Sequence, residues 1–147
     1  MFENSSTKQQ QRSIFRCQTE KIRELIKNQF DVDLDLEFYV TSRRVYAFKG
    51  CDLGLKFVRK GIHFGTLEKD GIRLSIEGSF IVGKIAKKNI LEIDDENAIK
   101  WLRGEDLEVN RELHGYYIVK WKEYFLGCGK ASNGKLRNFV PKERRIK

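Results

Sequence analysis

An α+β fold of two lobes is predicted by three features of this chain. A long amphipathic segment lies near its start, short apolar runs separated by polar turns fill most of the rest, and an acid-capped helical pattern interrupts those runs near residue 95. With 147 residues, 40% of them hydrophobic and 12% aromatic, the chain can bury one ordinary core or two small ones packed together. The expected division is a small α/β lobe over residues 1–53, its first dozen frayed, and a β-rich lobe over 54–147. Pro141 is the one proline, which argues against a proline-rich linker between separable domains.

The elements follow in order. Phe15, Ile22, Leu25, Ile26 and Gln29 recur at near-helical spacing among charged residues, predicting an amphipathic helix from about Ser13 to Asn28. Its stripe needs a partner, supplied by strands over Leu36 to Val40 and Val45 to Phe48 around the polar turn Thr41 to Arg44. Residues 54–74 loosely alternate between glycines, as short strands do, with Lys69, Asp70 and Gly71 as a hairpin turn. Ser75 is placed to cap a helix reaching about Ala86, against the weak helix propensity of Gly78 and Gly83. A strand over Ile90 to Ile93 precedes the N-cap Asp94, whose followers Asp95 and Glu96 suit the positive end of a helix that Gly104 stops. Strands over Gly115 to Trp121, Tyr124 to Ala131 and Lys135 to Val140 close the chain, with turns at Lys122–Glu123 and Ser132–Gly134. In so small a unit, both faces of the strand over 115–121 are not expected to be equally buried.

The formal charge of +8 is concentrated at one end. From Arg111 to Lys147 there are ten basic and three acidic residues, a surplus of 7, whereas residues 1–110 balance nineteen against eighteen. A local basic cluster attracts phosphate by counterion release and long-range steering. Nucleic acid is therefore the leading partner, ahead of an anionic membrane surface or a merely solvated tail. Lys130, Lys135, Arg137, Lys142, Arg144 and Arg145 are the expected phosphate contacts. Asn138 is the candidate base or sugar contact, and Phe139 could stack, although packing in the core suits its alternating position better.

Catalysis has less support. Gly127 and Gly129 lie in a strand-like run with no helix after them, so that pair reads as a bulge or close-packing site and not as a phosphate loop. His63 and His114 each sit near a glycine in a predicted turn, poor ground for a nucleophile's base. Cys17, Cys51 and Cys128 are odd in number and far apart, which predicts reduced thiols and neither disulfides nor structural zinc. The carboxylates from Glu92 to Glu108 are explained by capping and a solvated loop. No run approaches the roughly 20 apolar residues of a membrane span, and the polar start lacks the apolar stretch of a secretory signal, so the expected location is the cytoplasm.

Several segments also resemble a known family. Gly61 and Gly65, Ser75, the Leu102 to Asp106 sequence LRGED, the Leu126 to Lys130 sequence LGCGK, Gly134, the Leu136 to Asn138 sequence LRN, and Pro141 with Lys142 stand in the order of the PUA-like region at the C-terminus of RsmF-type ribosomal-RNA cytosine-C5 methyltransferases and standalone archaeal relatives. The resemblance covers about the last 90 residues. It implies a PUA-like mixed β pseudo-barrel after a small α/β pre-PUA lobe, a ribosomal or transfer RNA partner, and a place in RNA modification or ribosome assembly. Arg103 and Gly104 would line the same groove as the basic tail. The family's methyltransferase half has no counterpart among these residues, since none of the cysteines adjoins a proline; the resemblance thus implies binding without catalysis and without a cofactor, with a separate RNA-modifying enzyme or a ribosome-assembly protein as a candidate partner. The alternative is a protein-interaction adaptor in ribosome assembly whose N-terminal lobe recruits a protein and whose RNA contact is secondary.

Overall fold

A computed structural model describes residues 18–49 and 61–147. The expectations for the first dozen residues, Phe15, Cys17, Cys51 and the strand-like run 54–60 lie outside them. Residues 18–30 are helical (α1). Strands β1 (Leu36–Thr41), β2 (Arg44–Lys49), β3 (Ile62–Glu68) and β4 (Gly71–Leu74) then form an antiparallel sheet in the order β1-β2-β3-β4. The expected lobe boundary at residue 53 also falls outside the described residues; the β2–β3 ladder runs across it, so the first lobe, as folded, is α1 with the whole β1–β4 sheet.

Helix α1 packs on this sheet through Ile22, Ile26 and Phe30, which are buried with Phe38, Val45, Phe64 and Ile72 in one cluster. Its polar residues complete the sheet edges. The Thr19 hydroxyl donates to Phe38 O at 3.1 Å and accepts from Phe38 N at 3.0 Å, while Arg23 Nε donates to Leu36 O at 2.9 Å, all on edge strand β1. At the opposite edge, the Gln29 amide donates to Ile72 O at 3.0 Å and accepts from Ile72 N at 2.6 Å, acting as a fifth strand one residue long. Backbone groups that would be an open ladder are thus satisfied by one helix.

Helix α2 (Ile76–Gly83) begins at Ser75, whose hydroxyl accepts from Gly78 N at 2.9 Å. The two glycines that weaken its helix propensity are its contact points: a Cβ on Gly78 would strike Phe64 O, and one on Gly83 the Phe125 ring. Beyond it come β5 (Ile90–Glu92), α3 (Asp95–Leu102), β6 (Leu107–Glu108), β7 (Gly115–Trp121), β8 (Tyr124–Ser132) and β9 (Lys135–Arg137), with a short 3-10 helix at Lys142–Arg144. The second sheet has the order β5-β7-β8-β9-β6, with β5 parallel to β7 and the other pairs antiparallel.

Because β5 and β6 are opposite edges of that sheet, α3 between them must cross one of its faces. Trp101 is the residue it buries there, fully enclosed with Val119, Ala131, Leu136 and Val140, its indole donating to Leu126 O at 2.9 Å. The other face is covered by the first lobe, whose core includes Tyr116, Ile118 and Cys128. Strand β7 is therefore covered on both faces but unequally, as expected: Tyr116 and Ile118 are buried on one face, whereas on the other Val119 is buried and Tyr117 and Trp121 are half-buried. The first lobe and α3 are opposite coverings of one sheet.

The Gly127–Gly129 pair serves two purposes. Gly127, at φ 120°, lies where the β7–β8 register shifts, which marks a bulge. At Gly129 a Cβ would lie 2.6 Å from the Trp101 ring, 2.7 Å from Leu136 and 2.8 Å from Arg137 O, so the strand can approach the indole only without a side chain. Gly129→Ala should lower the urea midpoint with unchanged m, a loss of about 1–3 kcal/mol typical of overpacking. Cys128 is fully buried, and desolvation raises its thiol to about 12. With Cys17 and Cys51 changed to Ser, the remaining thiol should react with a thiol reagent at neutral pH only as fast as the protein opens, a rate readable against unfolding kinetics.

Candidate nucleic-acid interface

The C-terminal basic residues are held by a clamp at Asn138. Strand β9 ends at Arg137 and does not reach Val140 as the alternation predicts, because Asn138 turns away from the sheet toward the end of α3. Its backbone N–H donates to the Asp106 carboxylate at 2.8 Å. The side-chain amide donates to Trp101 O at 2.7 Å and to Glu105 O at 2.9 Å, and its oxygen accepts from Val140 N at 2.7 Å. Both amide hydrogens are thereby committed to carbonyls at and just beyond the helix end: Trp101 O, which also accepts from Gly104 N at 3.0 Å, and Glu105 O in the loop that follows. In the free protein, the side chain expected to meet a base or sugar positions the segment after it.

That segment runs along the same helix end. Ile146 N donates to Leu102 O at 2.9 Å, and Arg145 Nε donates to Val140 O at 2.9 Å. The Arg145 side chain lies over Gly104, whose φ of 94° and missing Cβ admit it. Gly104 and Arg145, separated by forty residues of sequence, are in contact, with exposed Arg103 beside them at the α3 C-cap.

On β9, Lys135 and Arg137 are exposed and flank buried Leu136. The turn before them passes through Asn133 and Gly134, both at positive φ, as a two-residue hairpin of type I′ requires. Lys130 is the cross-strand partner of Arg137. Not every cation is equally available. Lys130 pairs with Asp70 at 2.7 Å, and the Tyr116 hydroxyl donates to the same carboxylate at 2.8 Å. Lys130 first, and Tyr116 second, hold the Asp70 carboxyl below its ordinary range. Arg144 is paired with Glu77 at the start of α2. Arg103, Lys135, Arg137 and Lys142 are the exposed remainder of the expected set.

Phe139 is half-buried and not a core residue. Its ring lies 4.1 Å from the Arg73 guanidinium and 5.2 Å from that of Arg137. It forms part of a cleft of about 350 Å³ between the first lobe and the C-terminal segment, whose lining includes His63, Arg73, Glu77, Cys128 and Arg144. Sequence reasoning did not single out Arg73 or Glu77: no local pattern shows that strand β4 and helix α2 face the tail.

His63 and Cys128 share that cleft without forming a reactive pair. Desolvation first, then Arg44, lowers the His63 imidazole below its ordinary value, and burial keeps the thiol protonated. His114 is exposed in a loop. Among the described residues, no group of three or more His, Cys, Asp or Glu side chains is placed to hold a metal ion, and no helix is long and apolar enough to cross a membrane.

The clamp generates a stability prediction. Asn138→Ala removes the side-chain donor to Glu105 O, the acceptor for Val140 N and one of the donors to Trp101 O, and should cost about 1–3 kcal/mol in urea unfolding. Asn138→Asp keeps an acceptor but loses both donors, and should be no better. A side chain used only on a ligand would leave both variants as stable as the parent.

Residues 88–146 match the family described as Methyltransferase RsmF PUA domain. The curated protein "Ribosomal RNA small subunit methyltransferase F" of Aeromonas salmonicida is 32% identical over 90 residues, covering 60% of this chain and 19% of that protein. The proteins of the same name from Shewanella oneidensis and Vibrio parahaemolyticus are 30% identical over 111 residues and 25% identical over 138, covering 74% and 86% of this chain but 23% and 29% of their own lengths. The chain thus spans less than a third of the curated relatives it matches. The matched span contains α3, the Gly104 contact, the Asn138 clamp and the mixed sheet, and this C-terminal part of the chain is a PUA-like domain related to the C-terminal region of RsmF.

Proposed function

We propose that the protein is a non-catalytic RNA-binding protein that docks structured ribosomal or transfer RNA in RNA modification or ribosome assembly, in the cytoplasm. The observation that carries this reading is that most of the surplus positive charge falls inside the RsmF-type PUA-like domain, part of it on the segment pinned to the end of α3. Pinning matters because a cation already held in place loses less freedom when it meets a phosphate.

The roles divide by availability. Arg103, Lys135, Arg137 and Lys142 take phosphate directly, the arginines through paired N–H donors and the lysines as point charges. Lys130 and Arg144 can join by exchanging Asp70 and Glu77 for phosphate. Arg145, Gly104 and Asn138 shape the surface and contribute by keeping the tail in place. The relatives' name supports a setting beside an RNA methyltransferase, which this chain would assist by holding RNA.

Filter binding across a salt series, with transfer RNA, ribosomal-RNA fragments and matched duplex DNA, tests this. RNA should be retained better than DNA. The triple variant Lys135→Glu, Arg137→Glu, Lys142→Glu should lose most RNA affinity and flatten the salt slope by about one unit per lost phosphate contact, while its thermal unfolding stays that of the parent. Undiminished affinity in the triple variant overturns the assignment of these residues. Equal binding of every polyanion, with protein co-purification that survives nuclease, favours the adaptor reading instead.

A further inference from the structure

Resting on the RNA-binding reading, we propose that the cleft between the first lobe and the C-terminal segment receives one unpaired nucleotide of the bound RNA, which reaches it over the rings of Tyr46 and His63.

The argument starts from the outer face of the first sheet. Residues alternate across a strand, so with Phe38, Val45 and Phe64 turned to the core, Tyr39, Tyr46 and His63 occupy the opposite face. There Tyr39 and Tyr46 stack with centroids 5.0 Å apart, and His63 follows 5.7 Å from Tyr46. Arg73, across the β3–β4 ladder from Thr66, carries the row toward Phe139. An exposed imidazole leading from this row of rings into a cleft is a platform for unstacked bases, whose π faces a duplex keeps hidden.

The cleft completes the chemistry. Its volume of about 350 Å³ lies at the lower end of small-ligand sites, enough for one nucleotide and too little for a stacked base pair. Its cations are Arg73 and Arg144, suited to a phosphate, and Glu77 at the rim can accept from a base N–H once Arg144 has a phosphate to hold. Arg73 Nε is a buried donor without a hydrogen-bond partner, a cost that an incoming acceptor can relieve by repositioning the guanidinium. The lowered imidazole pKa leaves His63 neutral at physiological pH, a ring that stacks without adding charge.

This site is separate from Lys135 and Lys142, so the two readings can fail separately. The probes are one RNA hairpin with a short 3′ single-stranded extension carrying 2-aminopurine, and the same hairpin with a blunt end, each titrated with the full chain. The extended hairpin should bind more tightly, with 2-aminopurine fluorescence quenched by stacking. His63→Ala and Phe139→Ala should each weaken the extended hairpin roughly tenfold and leave the blunt one unchanged. Glu77→Gln, which releases Arg144 and removes no packing ring, should strengthen binding of the extended hairpin. If both hairpins bind alike and His63→Ala and Glu77→Gln change neither, the cleft proposal falls while the basic-surface reading stands. If the parent retains neither hairpin, both fall together.

Discussion

Trp101 packs against strand β8 at Gly129, where a side chain would collide with the indole, and the C-terminal half of the molecule is arranged around that contact. The indole is completely buried, and its N–H is satisfied by Leu126 O. A ring of this size buried under a sheet contributes several kcal/mol, and truncating such a side chain typically costs about 3–5 kcal/mol. For the ring to fit, α3 must cross the face of the sheet, Gly129 must lack a side chain, and Leu136 must close the far side. The chain then has to return to the end of the same helix, where Asn138 takes the carbonyl of Trp101 itself. Core packing and tail placement thus meet at one residue.

The same economy recurs in the first lobe. Its sheet would expose two edges, and α1 deals with both through Thr19, Arg23 and Gln29 while burying its apolar stripe between them. Side chains standing in for strand neighbours make the helix position specific, since sliding it would forfeit hydrogen bonds at both edges together. The core beneath continues into the second sheet through Tyr116, Ile118 and Cys128. This explains how two small units can be stable at this length: the first lobe covers one face of the second sheet and α3 the other.

Electrostatics follow from that packing. The basic end of the sequence is a set of side chains with different commitments, and not one uniform patch. Lys130 is drawn to Asp70 in the β3–β4 turn and Arg144 to Glu77 of α2, so two of the expected phosphate contacts are tied to elements outside the basic segment in the free protein. Both pairs are partly exposed, where an ion pair is worth about 1 kcal/mol or less. A phosphate can exchange with either carboxylate at little cost. The lobes and the basic surface are therefore linked by contacts weak enough to be redistributed by a polyanion.

Much of the local structure was legible without coordinates. Ser75 and Asp94 are capping residues with a helix directly after them, and the turns at Lys69–Asp70 and Asn133–Gly134 contain the residues that such turns need; these signals act over a few residues and survive any tertiary context. The local basic bias and the RsmF-like motifs belong to the sequence as well. Long-range features were not legible. Strand β6 is two residues long, the parallel β5–β7 pairing joins segments separated by a helix, and the cleft joins residues from His63 to Arg144. Asn138 is the sharpest case: an amide beside arginines in a basic tail suggests a nucleic-acid contact, and only the folded chain brings the carbonyls of Trp101 and Glu105 within its reach. The sequence by itself determined where helices and turns begin and where positive charge gathers, because those depend on neighbouring residues. The tertiary structure decided which polar groups are consumed internally and which remain to meet a partner, because hydrogen-bond partners are allotted by proximity in space.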